Sequence, residues 1–364
     1  MTKVCHISSA HPAFDVRIFH KECVSLAKAG YDVSLVVTHD KEEVVDGVKM
    51  VPLPKSKGRL HRMFIKTHFA FYRSLKTKSK IFHFHDPELI IVGILLKILG
   101  KKVIYDSHEN VSSQIESKKW LGNSLLRRIV RNGFRIFEKI GIWFFDSVIS
   151  VTPEIVEFLS PKKGVLLRNY PIISLIENAS VAMDETEKPI LIYVGGLTKI
   201  RGIKEICEAV KLTKNQTELW LAGPWESPDF EAECISQNDR VKYWGTKPLA
   251  EVYPLIKSAD IGFVTLYPEK NYLNSLPIKA FEYMACSKPM IMSNIPYWET
   301  IFNGSALFVN PKSPNEIAEK IDELIDIESL SQQLGSHGKV EVDTKYSWES
   351  ESKKLVNLYH SLSK

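Results

Sequence analysis

A turn between residues 193 and 206 brings together the residue types that bind an anion. The segment reads YVGGLTKIRGIKEI, so an apolar strand pattern runs into Gly195 and Gly196, and Arg201 precedes a helical pattern. Glycine lets backbone amides approach a ligand, a helix N-terminus favours negative charge, and a guanidinium matches phosphate oxygens. The G-x-G-x-x-G and G-K-[ST] spacings are absent from the segment, which disfavours two common nucleotide-binding motifs. The segment indicates phosphate binding of another kind, or a tight turn with exposed basic residues.

A second candidate anion site lies at a predicted helix start in residues 273–291, LNSLPIKAFEYMACSKPMI. Asn274 or Ser275 can cap this helix, and Pro277 suits its first turn, where a missing N–H costs little. The backbone amides near Ser275 and Leu276 would then point out of the helix start, where the helix dipole favours negative charge.

Two charged side chains follow on one face of the same helix. Lys279 would place a positive charge beside the anion, and Glu282 comes three residues later. A carboxylate there can accept two hydrogen bonds from a vicinal diol such as a ribose. The alternative is a surface ion pair, which contributes only about 0.2–0.5 kcal/mol.

Histidine and acidic side chains cluster at the ends of two other predicted strands. FHFHDPE contains His83, His85 and Asp86, and YDSHE contains Asp106 and His108. Such clusters can ligate a metal, but their spacing is that of alternate residues along a strand. We therefore interpret them as side chains that face a ligand, with packed or capping histidines as the alternative, and we expect no metal.

A long turn after the first predicted strand carries further charged residues. The turn reads SSAHPAFDVRIFHKE and contains Asp15 and Arg17. We expect this turn to overhang a ligand site from the opposite domain. Capping of the following helix by Asp15 is an equally good interpretation.

The elements that position these residues follow a regular alternation. Short apolar runs such as KVCHISS, DVSLVVT and ILIYVGGL alternate with amphipathic helical patterns such as RIFHKECVSLAKAG. This alternation predicts parallel sheets covered by helices on both faces. Ligands of such sheets bind beyond the carboxyl ends of the strands, where the candidate residues are found.

The alternation stops once and then restarts, which predicts two domains. We assign residues 1–170 to a first Rossmann-like domain, 171–189 to a linker, and 190–345 to a second Rossmann-like domain. The closing helix within 346–364 is expected to pack back on the first domain. The predicted fold class is α/β, with two doubly wound parallel-sheet domains that face each other across a cleft.

Composition limits the class of protein. The chain has 364 residues, 44% of them hydrophobic and 25% charged, which is typical of a globular protein. Its five cysteines form no CxxC pair, which argues against a disulfide framework and fits a reducing cytosol. We expect neither a secretory signal nor a membrane-spanning helix.

The net charge of +5 is unevenly distributed. Residues 55–80 contain nine Lys or Arg and no acid, and residues 118–145 contain seven against one glutamate. Aromatic and aliphatic residues interleave with these basic residues, a composition that suits anionic lipid. A solvated helix face is the alternative. Nucleic acid is the weakest interpretation because no nucleic-acid motif accompanies the charge.

Taken together, these segments resemble the family 4 glycosyltransferases, which are retaining enzymes of the GT-B fold that use nucleotide-sugar donors. The resemblance spans nearly the whole chain. It is carried by the order and spacing of seven segments: DVRIFHKECVSLAKAGYDVSLV, YVGGLTKIRGIKEICEAV, LAGP, VKYWGT, VYPLIKSADIGFVTLYP, LPIKAFEYMACSKPMI and WETIFNGSALFVNPKSPNEIAEKI.

The resemblance implies roles for the candidate residues. Glu282 matches the second of two family glutamates, which holds the donor ribose, and Asn274 takes the position of the first, which contacts the donor sugar. Arg201 matches a basic diphosphate ligand, and His108 matches a histidine that approaches the donor sugar. The diphosphate site would also include the residues at the two helix starts: Gly195, Gly196, Ser275, Leu276 and Lys279.

The same resemblance places Trp244 and Gly245 near the nucleobase, and Asp15 and Arg17 on the acceptor side. The sequence departs from the family at Asn274, which carries no charge, at Gly196, where a basic residue is usual, and in SAHPAFD, which replaces a Gly-Gly loop.

The implied function is transfer of a sugar, with retention, from a UDP-linked donor to a glycan or polyprenyl-diphosphate-linked acceptor in capsule, O-antigen or exopolysaccharide synthesis. No metal or other cofactor and no nucleic acid are expected. The expected location is cytoplasmic, peripheral on the inner membrane face. Two alternatives stay open: a non-catalytic nucleotide-sugar-binding subunit, and a nucleotide-sugar epimerase of the same fold.

Overall fold

A computed structural model describes residues 1–107, 115, 123–160, 162–182, 188–236, 238–269 and 272–364. They form two compact units: the first contains Met1–Asn169 and Trp348–Lys364, and the second contains Tyr170–Ser347. Each unit is built on its own largely parallel sheet with helices packed against it. The predicted class of two α/β parallel-sheet domains is therefore confirmed.

The sheet of the first unit has eight strands among the described residues. They are β1 Lys3–Ile7, β2 Asp32–Thr38, β3 Glu43–Val45, β4 Val48–Leu53, β5 Ile81–Phe84, β6 Lys102–Ser107, β7 Ser147–Ser150 and β8 Gly164–Leu166. Their order is β3-β4-β2-β1-β5-β6-β7-β8, and every pair is parallel except β3 with β4. The short antiparallel edge strand β3 was not predicted from the sequence. The central strands β1 and β5 are buried except at Lys3, and apart from Lys3, His6 and His83 their residues are apolar, as expected of strands covered on both faces.

The helices of the first unit follow its strands. They are α1, π-helical over Val16–Cys23 and α-helical over Val24–Lys28; α2, π-helical over His61–Lys66 and α-helical over Thr67–Lys76; α3, 3-10 over Pro87–Leu89 and α-helical over Ile90–Ile98; α4 Ser124–Phe144; and α5 Pro153–Leu159. The last helix of the chain, Trp348–Ser363, also belongs to this unit. Its Trp348 Nε1 donates a hydrogen bond to Ser25 Oγ on α1 at 2.9 Å.

The sheet of the second unit is fully parallel in the part of the chain that is described. Its strands are β9 Ile190–Val194, β10 Glu218–Ala222, β11 Val241–Tyr243, β12 Ile261–Val264, β13 Met290–Ser293 and β14 Ala306–Val309. The order is β11-β10-β9-β12-β13-β14. Strand order reverses beside β9, and ligands of doubly wound sheets bind next to such a point.

The helices of the second unit begin before β9. They are α6 Ile173–Glu177; α7, 3-10 over Lys199–Arg201 and α-helical over Ile203–Leu212; α8 Pro228–Ile235; α9 Leu249–Ser258; α10 Ile278–Ala285; α11 Pro296–Phe302; α12 Pro314–Asp326; and α13 Glu328–Lys345. The helix Trp348–Ser363 is α14. None of the described helices is long and apolar enough to span a bilayer.

Alternate residues of β9 enter two separate cores of the second unit. Ile190 and Ile192 pack in one apolar cluster, and Leu191 and Tyr193 pack in the other. Side chains of a strand alternate between faces, so the sheet carries a helical layer on each side. Burial of both faces holds the strand ends in fixed positions beneath the loops that follow them.

The boundary between the units differs from the expected one at both crossings. Tyr170, assigned to the first domain, packs against Phe281 with ring centroids 5.0 Å apart, and Tyr346, assigned to the closing helix, lies 5.0 Å from the same ring. All three aromatic residues therefore belong to the second unit.

The described residues of 171–189, a segment expected to be a linker, contribute to the second unit. It contains the helix α6, whose Ile173 and Ile176 are buried in an apolar core. The sequence did not indicate this contribution, because the segment around α6 is polar and only two side chains of the helix are buried.

Candidate functional site: a glycine turn between two cations

The turn after β9 is fixed by the strand ends around it. Gly195 has φ +126°, a conformation open mainly to glycine, and its N–H donates to the carbonyl of Ala222 at 2.8 Å. Gly223 abuts this turn so closely that a Cβ on it would lie 2.0 Å from the Gly195 carbonyl oxygen. Gly223 N–H in turn donates to Gly245 O at 2.9 Å. Three loops at the carboxyl edge of the sheet thus meet at glycines.

Two cationic side chains converge on Gly195. A Cβ built on this glycine would lie 3.1 Å from Arg201 Nη1 and 3.2 Å from Lys279 Nζ. Because Gly195 has no side chain, a ligand can reach its backbone at the point that both cationic groups approach. Backbone amides and two cations in one place form an anion-binding arrangement.

Lys279 is held without a neutralising hydrogen bond. Its Nζ is buried, has no hydrogen-bond partner among the described residues, and lies 3.6 Å from the ring centroid of Tyr193. Burial, and then the neighbouring Arg201, lower the pKa of Lys279 well below its usual value, while Glu282 opposes the shift. A bound anion would offset both the loss of hydration of the Lys279 ammonium and its repulsion by Arg201.

Arg201 is positioned by the 3-10 turn at the start of α7. Its carbonyl accepts a hydrogen bond from Thr265 Oγ1 at 3.0 Å, and its Nη1 donates to Tyr193 Oη at 3.4 Å. Tyr193 therefore contacts both cations, through its ring and through its hydroxyl. The side chain of Arg201 remains partly exposed, as a ligand-binding guanidinium must be.

The helix after Leu276 begins later than the sequence suggested. Its N-cap is Pro277, with an extended backbone at φ −74° and ψ 117°, and α10 starts at Ile278. A residue that precedes proline is disfavoured in the helical region, so Leu276 lies outside the helix, and Ser275 with it. Lys279 is consequently in the first turn, at the end of the helix that favours anions.

A buried tryptophan forms a hydrogen bond to the loop before α10. Trp298 is buried, and its Nε1 donates to the carbonyl of Ser275 at 2.7 Å. Asn274 lies in the same loop and is exposed. The hydrogen bond from Trp298 fixes the backbone of this loop, and the exposed Asn274 side chain is accessible to a ligand.

Glu282 lies one turn after Lys279 on α10. Its side chain is partly exposed, and Tyr253 Oη donates to its Oε1 at 3.4 Å. The structure thus places Glu282 on the same helix face as Lys279, as the spacing predicted.

Trp244 and Gly245 lie in the loop that ends near the glycine turn. Trp244 is partly buried against Trp220, with ring centroids 4.9 Å apart, and Lys242 Nζ lies 4.4 Å from the Trp244 ring. Through the Gly223–Gly245 hydrogen bond this loop is tied to the turn at Gly195. The indole is thus a flat apolar surface in the same unit as the two cations.

The predicted residues of the first unit have different surroundings. His108 lies outside the described residues. Asp15 caps α1, because its Oδ1 accepts hydrogen bonds from the backbone N–H groups of Arg17 and Ile18, both at 2.9 Å. The capping interpretation of Asp15 is thus the one that the structure supports.

Arg17, expected on the acceptor side, is instead buried, with 4% of its surface exposed. Its Nη2 lies 3.1 Å from Asp106 Oδ2, its Nε lies 3.1 Å from Glu22 Oε1, and its Nη1 donates to Leu167 O at 3.2 Å. A buried guanidinium needs such partners, and these contacts direct the side chain into the first unit rather than towards a ligand at the surface.

The strand-end histidines are also buried rather than directed at a surface ligand. His83 and His85 are at most 3% exposed. Asp86 next to them accepts hydrogen bonds from Ser9 N–H at 2.6 Å and Ser8 Oγ at 2.9 Å, so it organises the turn after β1. Burial alone would raise the pKa of Asp86. The hydrogen bonds from His11 and from the two serines outweigh burial and hold this pKa well below its usual range.

Sequence reasoning did not identify three residues of the second unit that support the candidate site. They are Tyr193 beneath Lys279, Trp298 beneath Ser275, and Tyr253 beside Glu282. All three lie within segments already singled out: Tyr193 is two residues before Gly195, Tyr253 is in VYPLIKSADIGFVTLYP, and Trp298 opens WETIFNGSALF.

Comparison with protein families gives two matches that together cover most of the chain. Residues 17–169 match the model described as Glycosyltransferase Family 4, and residues 188–326 match the model described as Glycosyl transferases group 1. The second match contains the glycine turn and α10.

Two curated relatives illustrate the sequence similarity. An uncharacterised glycosyltransferase of Methanocaldococcus jannaschii is 27% identical over 187 residues, which are 50% of this chain and 46% of the relative. The N,N'-diacetylbacillosaminyl-diphospho-undecaprenol alpha-1,3-N-acetylgalactosaminyltransferase of Campylobacter jejuni is 25% identical over 154 residues, 42% of this chain and 39% of the relative. The matched segments thus span less than half the length of these relatives.

Solved structures show the same fold. Sucrose-phosphate synthase from Thermosynechococcus elongatus aligns with a TM-score of 0.78 at 19% identity and covers 100% of this chain and 99% of its own. Anabaena HepE in complex with UDP-glucose aligns with a TM-score of 0.67 at 11% identity, covering 99% and 100%. At these identities the similarity shows the GT-B fold and not an activity.

Proposed function

The chain belongs to the family 4 glycosyltransferases, and we propose that it transfers a sugar, with retention at the anomeric carbon, from a nucleoside-diphosphate sugar to a glycan or lipid-linked acceptor. The proposed process is the assembly of a surface polysaccharide. The lipid-linked acceptor is suggested by the printed activity of the Campylobacter jejuni relative, which acts on a diphospho-undecaprenol substrate.

One observation carries the proposal: Arg201 and Lys279 converge on the backbone of Gly195, and no ion pair of either side chain is found within the described part of the chain. The Cβ position of Gly195 lies within 3.2 Å of both cationic groups. A diphosphate has the charge and the several oxygen acceptors that this arrangement lacks. A monoanion such as a carboxylate would leave part of the positive charge uncompensated.

The arrangement suits the chemistry of a departing nucleoside diphosphate. When the glycosidic bond to the β-phosphate breaks, negative charge grows on the phosphate and positive charge on the sugar. Arg201, Lys279 and the amides at Gly195 and Gly196 would stabilise the leaving group, and such preorganised charge lowers the barrier. We assign no nucleophile, because a retaining reaction of this type needs none if the leaving phosphate takes the acceptor proton.

The remaining predicted residues have roles in donor binding. We propose that Glu282 accepts hydrogen bonds from the ribose hydroxyls, and that Asn274 contacts the donor sugar with the amides of Ser275 and Leu276. His108 is proposed to approach the same sugar. We place Trp244 and Gly245 near the base, with UDP as the proposed carrier, in keeping with the UDP-glucose bound to HepE.

A surface of the first unit fits a lipid-linked acceptor at an anionic membrane. Helix α4 carries exposed apolar side chains, including Trp143 at 75% and Ile136 at 62% exposure. Its basic residues are Arg127, Arg128, Arg131, Arg135 and Lys139. The one acid of α4, Glu138, is buried and accepts a hydrogen bond from Tyr105 at 2.9 Å. The outer face of α4 therefore offers apolar and positively charged groups together, the composition that binds anionic lipid surfaces.

Two experiments test the proposed function. A thermal-shift panel of nucleoside diphosphates and their sugars would identify the donor, since a ligand of the folded state raises the Tm. The radiolabelled donor is then incubated with membranes, and the lipid extract is analysed for label and anomeric configuration. Transfer of label with retention supports the proposal; stabilisation by no member of the panel contradicts it.

A non-catalytic nucleotide-sugar-binding subunit is a second candidate. It is favoured by Asn274, which cannot offer a carboxylate to the developing positive charge, and by Gly196, which stands where the family pattern has a basic residue. Donor binding with neither transfer nor slow hydrolysis would support this alternative. Conversion of the donor to another nucleotide-sugar without an acceptor would instead indicate an epimerase.

A further inference from the structure

Three histidines and a glutamate form a polar cluster inside the first unit. His6 on β1 and His83 on β5 are register partners on neighbouring strands, and His85 lies two residues after His83 on the same side. Glu22 reaches the cluster from helix α1. The four side chains are fully buried, and their candidate ligand atoms all lie within 4.8 Å of one another.

The separations in this cluster are those of groups arranged around a common centre. Glu22 Oε2 lies 3.8 Å from His6 Nδ1, 3.8 Å from His83 Nδ1 and 3.9 Å from His85 Nε2. These distances are too long for hydrogen bonds. Ligands bound at about 2.0–2.1 Å to a tetrahedral ion lie about 3.3–3.4 Å apart, so small movements of these side chains would complete a coordination shell.

Glu22 is the acidic member of the cluster. Its Oε1 lies 3.1 Å from Arg17 Nε, but that guanidinium also pairs with Asp106. Its Oε2 has no hydrogen-bond partner among the described residues and faces the three imidazoles. A buried carboxylate oxygen without a partner is costly, and a metal ion at the centre would satisfy it.

The histidines are prepared to act as ligands. His6 and His83 are fully buried, and the candidate ligand nitrogens of all three rings lie within the same small volume as Glu22. His6 Nδ1 and His85 Nε2 are 3.0 Å apart and point at each other. In the absence of a cation, one proton must be shared between them.

Outer contacts orient the same rings. His85 Nδ1 lies 3.5 Å from Asp106 Oδ2, and Tyr359 Oη from helix α14 lies 2.9 Å from His6 Nε2. A carboxylate behind a histidine is the usual second shell of a metal-bound imidazole, where it fixes the ring and raises its basicity. Arg17, which did not fit an acceptor site, thereby gains a function, because it holds both Asp106 and Glu22.

We propose that His6, His83, His85 and Glu22 bind one divalent transition metal ion, zinc by preference, as a structural site of the first unit. Three nitrogens and one carboxylate suit zinc and exclude magnesium or calcium, which prefer oxygen ligands. Four protein ligands without solvent access leave no open position for a substrate, so the ion has no part in sugar transfer. The inference is independent of the proposed function.

The first test is the zinc content of the full chain, purified without a polyhistidine tag from zinc-supplemented cells. The wild type is expected to contain one equivalent of zinc per chain. Glu22→Gln, which keeps the size of the side chain but replaces a carboxyl oxygen with an amide nitrogen, is expected to lose most of it. His39→Gln is the matched control, because His39 pairs with Glu43 at 2.7 Å outside the cluster. It is expected to keep the zinc of the wild type.

A second measurement uses the wild type alone, so it stands even if Glu22→Gln does not fold. Removal of the ion with a strong chelator is expected to lower the Tm, since a ligand of the folded state stabilises it, and zinc but not magnesium should restore the Tm. Cobalt in place of zinc should give the intense visible absorption of a tetrahedral site. Wild-type protein with substoichiometric zinc and a Tm unaffected by chelator would overturn the proposal and leave a hydrogen-bonded cluster.

Discussion

Arg201 Nη1 and Lys279 Nζ approach the same point beside Gly195, at 3.1 Å and 3.2 Å from where its Cβ would be. Two like charges this close are unfavourable in a protein without its ligand, and burial of Lys279 adds to the cost. The second unit keeps this arrangement through well-packed strand ends, which pre-organises the site for an anion. The proposed function therefore predicts opposite effects on stability and on binding.

Replacement of Lys279 by methionine tests this opposition. Lys279→Met keeps the unbranched stem over the Tyr193 ring and removes the buried charge, so the Tm of the ligand-free protein should rise. Affinity for the nucleoside diphosphate should fall about 10–100-fold, the cost of losing a hydrogen bond to a charged group. Calorimetry with and without ligand measures both changes.

The control for this variant is Lys199→Met on the same turn. Lys199 is more exposed, and its Nζ lies 3.7 Å from Glu233, so its loss should change neither Tm nor affinity appreciably. Equal losses of affinity in the two variants would show that general positive charge, and not the position of Lys279, binds the ligand.

A methyl group on Gly195 should block the site. Gly195→Ala places a Cβ between the two cations and strains a backbone at φ +126°, so nucleotide binding should be lost and the Tm should fall modestly. Gly133→Ala in α4 of the first unit is the control, since its Cβ would meet no atom within 4 Å, and it should keep the affinity of the wild type. Undiminished affinity in Gly195→Ala would place the diphosphate elsewhere.

The lowered pKa of Lys279 predicts a pH dependence of binding. A bound diphosphate stabilises the ammonium form and raises this pKa, so binding takes up a proton between the free-state and bound-state values. Affinity should be constant below the free-state pKa and fall as the pH rises through that window. Stability of the ligand-free protein should rise with pH from the lowered pKa towards the usual 10.5, because the unfolded chain binds the extra proton.

Titration calorimetry at several pH values, in buffers of different ionisation enthalpy, measures this proton uptake. Lys279→Met should lose the part of the pH dependence that comes from the lysine and keep the part that comes from the phosphate. An identical profile in wild type and variant would rule out Lys279 as the titrating group.

The proposed membrane surface predicts a charge-dependent association. Reversal of Arg127, Arg128 and Arg131 to glutamate should release the protein from anionic liposomes in a sedimentation assay, and high salt should act in the same direction. The control reverses three exposed lysines of the second unit: Lys211, Lys214 and Lys312. If the α4 variant sediments with anionic liposomes as the wild type does, α4 is not the contact.

Much of the fold could be predicted from local patterns. The strands of both sheets are apolar runs bounded by turn residues, and the glycine turn at Gly195 with Arg201 after it was apparent from residue types alone. The helix starts at Ile278 and not near Ser275, because Pro277 disfavours the helical conformation at Leu276 in spite of the capping ability of Ser275.

The contacts that decide the roles of charged residues could not be predicted in this way. Arg17 was assigned to a surface because its partner Asp106 is distant in sequence and joins it only in the folded sheet. The histidines of FHFHDPE share a core with His6, Glu22 and Tyr359 for the same reason. A charged group can be buried only where it meets hydrogen-bonding or charged partners. Which residues become its partners depends on the order of the strands in the sheet.

The most direct test compares the affinity for a nucleoside diphosphate with the affinity for its nucleoside, because the difference between the two affinities is the contribution of the diphosphate. UDP and uridine, or the pair of the base that the thermal-shift panel selects, are titrated into the wild type and into Arg201→Ala and Glu282→Ala. UDP should bind the wild type at least about 100-fold more tightly than uridine, because several charge-assisted hydrogen bonds to the diphosphate are lost in the nucleoside. Arg201→Ala should remove most of this difference, and Glu282→Ala should weaken both ligands alike. A difference between UDP and uridine that is unchanged in Arg201→Ala would contradict the assignment of the glycine turn as the diphosphate site.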